Sequence, residues 1–252
     1  MIKFENINGG YGRKQVLFDI NAEIETGEIV SIVGANGCGK TTLLETASGL
    51  KMPFSGSVTV NGEDIHKMNP GKRAQAVSVL SQQKSAGVLT VRALTFHGRF
   101  PYLGYPRKYT EEDSKIVDEA MKMAGVFDIA DESISELSGG QQQKAYIAMM
   151  IAQNTEIVFM DEPVTFLDIN YQLELMNLIK KMQSDGKTIV MVIHDLNLAM
   201  TYSDRIMAMK NGRLLYMGTP KEMYEKNVFS DLFSIETHYS ESDNQYFFKR
   251  KI

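Results

Sequence analysis

Ile29-Val30-Ser31-Ile32-Val33-Gly34-Ala35-Asn36-Gly37-Cys38-Gly39-Lys40-Thr41 joins a short β-branched run to a glycine-rich loop ending in lysine and threonine. The apolar run suits a buried strand. Residues 41–50 follow as a helix, with Leu43, Leu44 and Ala47 on one side. A glycine-rich turn between a strand and a helix is the setting in which Gly-x4-Gly-Lys-Thr wraps a phosphate. Glycines remove side chains and permit unusual backbone angles. Successive N–H groups and the helix N-terminus then face the anion. Lys40 brings a positive charge to the β- and γ-phosphates, and the Thr41 hydroxyl can ligate Mg²⁺.

The alternation of apolar and polar residues predicts strands over residues 2–7 and 16–24, with Gly9-Gly10-Tyr11-Gly12 as a loop between them. Residues 57–60 lead as a strand into the turn Asn61-Gly62, and residues 76–80 form another strand. From Val91 to about Ala130 the pattern is helical, broken by the turn-rich Pro101-Tyr102-Leu103-Gly104-Tyr105-Pro106. Thr110 followed by Glu111-Glu112-Asp113 is an N-cap with an acidic first turn. Strands return at 157–160 and 188–193, with a helix over 171–182 between them. Strands alternating with helices imply an α/β fold with a largely parallel sheet, into which the middle region is a helical insertion.

The chain has 252 residues, 43% of them apolar, enough for a sizeable core. A net charge of −4 argues against nucleic-acid binding, and the basic Lys249-Arg250-Lys251 reads as a frayed, solvated end. The single cysteine, Cys38, excludes an internal disulfide and a two-cysteine metal site. A thiol inside a phosphate loop is expected to react with maleimides, with ATP protecting it. No apolar run is long enough to span a bilayer, so a membrane process would be served from its surface.

Two further elements carry chemistry. The run 157–160 ends in Asp161-Glu162, at a strand end where α/β sites lie. Asp161 would hold the Mg²⁺ shell and Glu162 would polarise the attacking water. Taken alone, an acidic pair there is more often a solvated turn. Leu137-Ser138-Gly139-Gly140-Gln141 reads as a cap on a helix beginning near Gln141, presenting N–H groups and a hydroxyl to an anion or serving as a plain N-cap.

Leu137-Ser138-Gly139-Gly140-Gln141 resembles the signature motif of ATP-binding cassette (ABC) ATPases. Gln82, Thr165-Phe166-Leu167-Asp168 and His194 stand in that family's order, and the resemblance runs to about Gly218. It implies a P-loop NTPase core (residues 1–84 and 155–218) with an N-terminal antiparallel β subdomain, an inserted helical subdomain (85–154) and a short tail (219–252). It implies ATP held by Gly34, Ala35, Asn36, Gly37, Cys38, Gly39, Lys40, Thr41 and Thr42, with Tyr11 stacking on adenine. Mg²⁺ would be met by Thr41, Gln82 and Asp161. Glu162, His194 and Gln82 would be catalytic. Ser138, Gly139, Gly140 and Gln141, with Leu137 before them, would act in trans on a second copy, so that the chain forms a head-to-tail dimer. Asp168 would work across the same boundary. Gln142-Gln143-Lys144 departs from the arginines of many relatives, and Thr165-Phe166 from the commoner Ser-Ala.

His194-Asp195-Leu196-Asn197-Leu198-Ala199 and Phe100-Pro101-Tyr102-Leu103 resemble the importer branch for ferric siderophores, haem and cobalamin. The resemblance implies a peripheral subunit on the cytoplasmic face of the membrane. It would pair with integral permease subunits and, through them, an extracytoplasmic substrate-binding protein. The groove for the permease is expected near residues 82–105. The function it implies is the ATP-hydrolysing, energy-coupling subunit of an importer for iron-siderophore complexes; another nutrient (haem, cobalamin or a metal oxyanion), or a soluble ATPase outside transport, is the alternative, and no residue reads iron.

Overall fold

Val30 and Ile32 face one hydrophobic core and Ile29 and Val33 face another, because side chains alternate across a strand. The strand that carries them, β3 (Ile29–Gly34), is therefore covered on both sides and buried along its whole length. A computed structural model describes residues 1–81, 88–165, 167–243 and 245–251. Gln82 and Phe166, both singled out in the sequence, lie outside the described residues.

The N-terminal strands are longer than the sequence pattern predicts: β1 (Ile2–Tyr11) and β2 (Lys14–Ile24). Gly9, Gly10 and Tyr11 belong to the strand and not to a loop, pairing with Leu17, Gln15 and Lys14 through a bulged register. A Cβ on Gly10 would sit 2.0 Å from the Lys14 carbonyl, so only glycine allows this approach. Helix α1 (Lys40–Ala47) follows β3 and ends before the expected Leu50, where Gly49 turns to φ +76°. Next come β4 (Ser55–Val60) and β5 (Glu63–Asp64). Helix α2 (Pro70–Ala76) was not foreseen, although Asn69 caps it and Pro70 opens it, both ordinary start signals. It takes Ala76 from the expected strand and leaves β6 as Val77–Leu80.

The middle region holds α3 (Val91–His97), α4 (Glu111–Met123) and α5 (Gly139–Gln153). Thr110 caps α4 in a reciprocal capping box with Asp113, as its sequence suggested. Ser138 caps α5, which begins at Gly139 and not at Gln141. The second half runs β7 (Ile157–Asp161), α6 (Ile169–Ser184), β8 (Thr188–Val192), α7 (Leu196–Tyr202), β9 (Arg205–Lys210) and β10 (Arg213–Gly218). The tail is ordered as α8 (Pro220–Glu225), α9 (Val228–Phe233), β11 (Ile235–Ser240) and β12 (Gln245–Arg250). Lys249 and Arg250 are thus strand residues and not a frayed end. Tyr246 and Phe248 pack inward, Phe248 edge-on to Phe229, while Phe247 stays outside and stacks on His238.

The larger sheet has the order β10-β9-β3-β8-β7-β6, parallel except for β10; the smaller, antiparallel sheet is β2-β1-β4-β5. Leu43, Leu44 and Ala47 of α1 are buried in one core with residues of both sheets, so α1 lies between them. The opposite face of the large sheet is covered by α5, α6 and α7.

The helical region is locked by a buried ion pair. Arg99 Nε donates to Asp113 Oδ1 at 2.8 Å and its Nη1 donates to the Ala152 carbonyl at 2.9 Å. Burial pushes the Asp113 carboxyl up, but the Thr110 backbone and hydroxyl together with Arg99 outweigh it and hold it below the usual range. Its stabilisation is therefore present above the ordinary carboxylate pKa and is lost as pH falls through the lower folded value. Arg99→Met should lose about 3–5 kcal/mol in urea denaturation, since it strands a buried carboxylate. The double variant Arg99→Met/Asp113→Asn should lose clearly less.

Candidate functional site

The ends of β3, β7 and β8 deliver the phosphate loop, the acidic pair and His194 to one edge of the large sheet. Gly37 has φ +75° and Gly39 φ +100°, both in the left-handed region that glycine enters without strain. A Cβ on Gly39 would also crowd Leu17 and Val16, at 3.0 and 3.1 Å. The loop thus needs glycine for conformation and for packing. Lys40 is buried, and its ammonium donates to the carbonyls of Gly34 at 2.9 Å and Ala35 at 3.2 Å. Those two bonds curl the side chain back over the loop, where its charge meets the space above the α1 N-terminus.

Thr41 donates its hydroxyl proton to Asp161 Oδ1 at 3.3 Å, joining the start of α1 to the end of β7. Asp161 is only 5% exposed. Burial pushes its carboxyl above the usual range; the Thr41 bond opposes this and the charge of Glu162 reinforces it. Glu162 leaves the strand at φ +51°, costly for a non-glycine residue. Its N–H donates to the Val192 carbonyl at 3.1 Å. Glu162 Oε2 accepts from Thr165 at 3.2 Å, and Oε1 lies 2.6 Å from His194 Nε2. The ring donates in this contact in the tautomer that carries its proton on Nε2. The imidazole thereby fixes the orientation of the acid.

These groups open onto one cleft of about 540 Å³. Of the residues singled out, Tyr11, Asn36, Gly37, Gly39, Lys40, Thr41, Thr42, Glu162 and His194 line it. Ala35 is exposed on the loop, while Gly34 and Cys38 are buried beneath it. Lys14 and Val16 also line the cleft and were missed. Their signal was the hairpin: once β1 extends to Tyr11, the Tyr11–Lys14 pairing brings the start of β2 alongside the loop. Tyr11 donates to Glu45 Oε2 at 3.0 Å and accepts from Thr42 at 3.3 Å. Glu45 was also overlooked.

The signature residues are elsewhere. Ser138 Oγ accepts the Gln141 N–H at 3.3 Å, and Gln141 Oε1 accepts the Ser138 N–H at 3.0 Å, a complete capping box. Leu137 is buried, Ser138 and Gly139 are exposed, and a Cβ on Gly140 would touch Leu167 and Tyr171. Asp168 caps α6 through the N–H groups of Asn170 and Tyr171. None of these residues lines the phosphate cleft of its own chain.

Two predictions follow from this electrostatics. The raised carboxyl of Asp161 opposes folding once ionised, a cost absent below the ordinary carboxylate pKa that grows as pH rises through that range. Asp161→Asn should therefore melt at a higher temperature than the parent at neutral pH without nucleotide, with the difference vanishing in acid. Scanning calorimetry against pH measures it. The Cys38 thiol is buried, and burial pushes its pKa up, which argues against the expected maleimide reactivity. Labelling followed by mass spectrometry should be slow with or without ATP and complete in denaturant.

The family model described as "ABC transporter" matches residues 17–165. The petrobactin import ATP-binding protein YclP of Bacillus subtilis is 40% identical over 97% of both chains. The ferric enterobactin transport ATP-binding protein FepC of Escherichia coli is 36% identical over 93% of this chain and 87% of its own. Among solved structures, the dimeric post-hydrolysis state of the ATP-binding cassette MJ0796 bound to ADP and Pi superposes with TM-score 0.78 at 31% identity. It covers 87% of this chain and 99% of that one. A putative metal-chelate type ABC transporter in an inward-facing conformation shares the fold, with TM-score 0.81 at 22% identity over 98% of this chain and 95% of that one. A phosphate loop, a strand-end acid pair and a capped signature helix in one cassette fold, with relatives of this similarity, make the chain a member of the ABC transporter family and one of its ATP-hydrolysing subunits.

Proposed function

We propose that this chain is the energy-coupling ATPase of a membrane importer for ferric siderophores. The observation that carries it is the agreement of relatives, matched over nearly the whole chain, that are named for import of petrobactin and iron(3+)-hydroxamate and for transport of ferric enterobactin. The cleft geometry supports the ATPase chemistry behind it. ATP stacks its adenine on Tyr11 and lays its phosphates along residues 34–42, where Lys40 and the α1 N–H groups neutralise charge. Glu162 takes the proton of the attacking water. The new bond joins that oxygen to the γ-phosphorus, while the bridging P–O bond breaks to release ADP. His194 holds the acid through Nε2 and faces the γ-phosphate.

The Thr41 hydroxyl and the Asp161 carboxylate fit Mg²⁺, both being hard oxygen donors beside the phosphate loop. A buried carboxylate whose charge is disfavoured is what a divalent cation would stabilise. When bound, Mg²⁺ supplies charge neutralisation to the β- and γ-phosphate oxygens. Gln82 is assigned to the same shell by its place in the motif order alone.

The capped, exposed N-terminus of α5, outside the lining of its own cleft, supports a head-to-tail dimer in which Ser138, Gly139, Gly140 and Gln141 complete the site of the second copy, with Leu137 buried behind them and Asp168 at the boundary. Residues 1–84 and 155–218 act as the nucleotide-binding core, 85–154 as the signature subdomain and 219–252 as an appended tail. No helix among the described residues is long and apolar enough to cross a membrane. The chain docks on integral permease subunits at the cytoplasmic face, and these receive cargo from an extracytoplasmic binding protein.

Ser138→Arg should leave ATP affinity nearly intact and abolish hydrolysis; turnover at the parental rate rejects the composite site. Deleting the gene should prevent growth on a ferric siderophore as sole iron source, with growth restored by the intact gene and not by Glu162→Gln. Unimpaired growth with the parental defect moved to another nutrient rejects the iron assignment while keeping the importer.

A further inference from the structure

A cation sits on the Tyr11 ring. Lys51 Nζ sits 3.5 Å from the ring centroid. The ammonium covers one face of the ring, and of the two residues only Tyr11 lines the nucleotide cleft. The lysine is built in rather than free-swinging. Its N–H donates to the Glu45 carbonyl at 3.0 Å, and its own carbonyl accepts from His66 Nε2 at 2.9 Å. Its side chain is only 20% exposed. Glu45 Oε2 lies 3.9 Å from Nζ and also accepts the Tyr11 hydroxyl, so one carboxylate holds both the ring and the cation on it.

We propose that Lys51 is a positioning residue for the nucleotide base, fixing and polarising the Tyr11 ring. The proposal rests on the assignment of Tyr11 as the adenine platform. An aromatic face carries negative charge, and a cation on one side draws that density toward itself. The opposite face becomes less negative and accepts an electron-rich purine with less repulsion. The hydroxyl bonds to Glu45 and Thr42 stop the ring from rotating away, so less rotamer freedom is lost when the base arrives. The effect belongs to the base alone: it is the same for a di- or triphosphate, because Lys51 reaches the nucleotide through the ring.

Isothermal titration of the purified subunit tests this with ATP, ADP and inorganic tripolyphosphate. Lys51→Met keeps the aliphatic stem and removes the charge. It should weaken ATP and ADP by the same factor, about three- to fivefold, and leave tripolyphosphate unchanged. Lys51→Arg should restore the affinity, since guanidinium also stacks on aromatic faces. In steady-state assays the loss should fall on KM rather than kcat. Equal weakening of tripolyphosphate would show that Lys51 acts on the phosphates directly and would overturn the proposal. Unchanged ATP affinity in Lys51→Met would overturn it as well. Tyr11→Ala separates the two levels: if ATP affinity survives that change, the Tyr11 platform itself is wrong, whereas a loss there with none in Lys51→Met rejects only the role of the lysine.

Discussion

Val192 pairs with Ile32 on one side and with Asp161 on the other, and that shared register sets the level at which three chain segments leave the sheet. Two residues beyond Ile32 the phosphate loop starts at Gly34. Two residues beyond Val192 stands His194. One residue beyond Asp161 stands Glu162, tied back to the Val192 carbonyl. A slip of one residue in any of these pairings would turn the strand's side chains to the opposite face and take one group out of the site. The slip is forbidden because all three strands are buried on both sides, so every alternate side chain already has a place in one of two cores.

The same register separates two adjacent carboxylates into different tasks. Asp161 is still part of the strand, points toward Thr41 and is buried. Glu162 has left the strand through a left-handed residue and is turned toward His194. Burial works against the charge of the first, while the His194 ring and a threonine hydroxyl hold the second. Alternation along a strand would put neighbouring side chains on opposite faces in any case; the backbone turn at Glu162 adds the forward reach a base needs.

Much of this was legible in the sequence because the signals are local. The phosphate loop, the acid pair and the Thr110 and Ser138 caps each depend on residues within a few positions of one another, and each formed where the pattern placed it. The boundaries that moved did so for tertiary reasons. Gly9 to Tyr11 carry loop chemistry, yet they pair with β2 because Gly10 lets the Lys14 carbonyl come close. Helix α2 was announced by Asn69-Pro70 but is too short to show periodicity. Lys14, Val16 and Glu45 escaped because nothing in their neighbourhood marks them; Lys14 and Val16 join the cleft only when β2 folds back along β1, and Glu45 meets Tyr11 only when α1 packs against that hairpin. Cys38 was misjudged for the opposite reason: its place in an exposed motif suggested access, but the loop turns that one side chain inward, where a Cβ on Gly34 would touch its sulfur.

Helix α5 shows how a site shared between copies can answer to a distant surface. Its N-terminus carries Ser138 and Gly139, which are exposed and do not line the cleft of the same chain. Its C-terminal end is gripped by the segment that follows α3: Arg99 bonds the Ala152 carbonyl, Tyr102 donates to the Gln153 carbonyl at 2.7 Å, and Gln153 reaches the carbonyls of Ala74 and Val77 at the foot of β6. At 1.5 Å per residue, fifteen residues make a rod of about 22 Å. Phe100, Tyr102 and Tyr105 are exposed on the segment that grips that end, and the rod joins them to Ser138 and Gly139 at the other. On the importer reading, that surface lies within the stretch expected to meet the permease, and the far end carries the residues proposed to complete the second copy's ATP site.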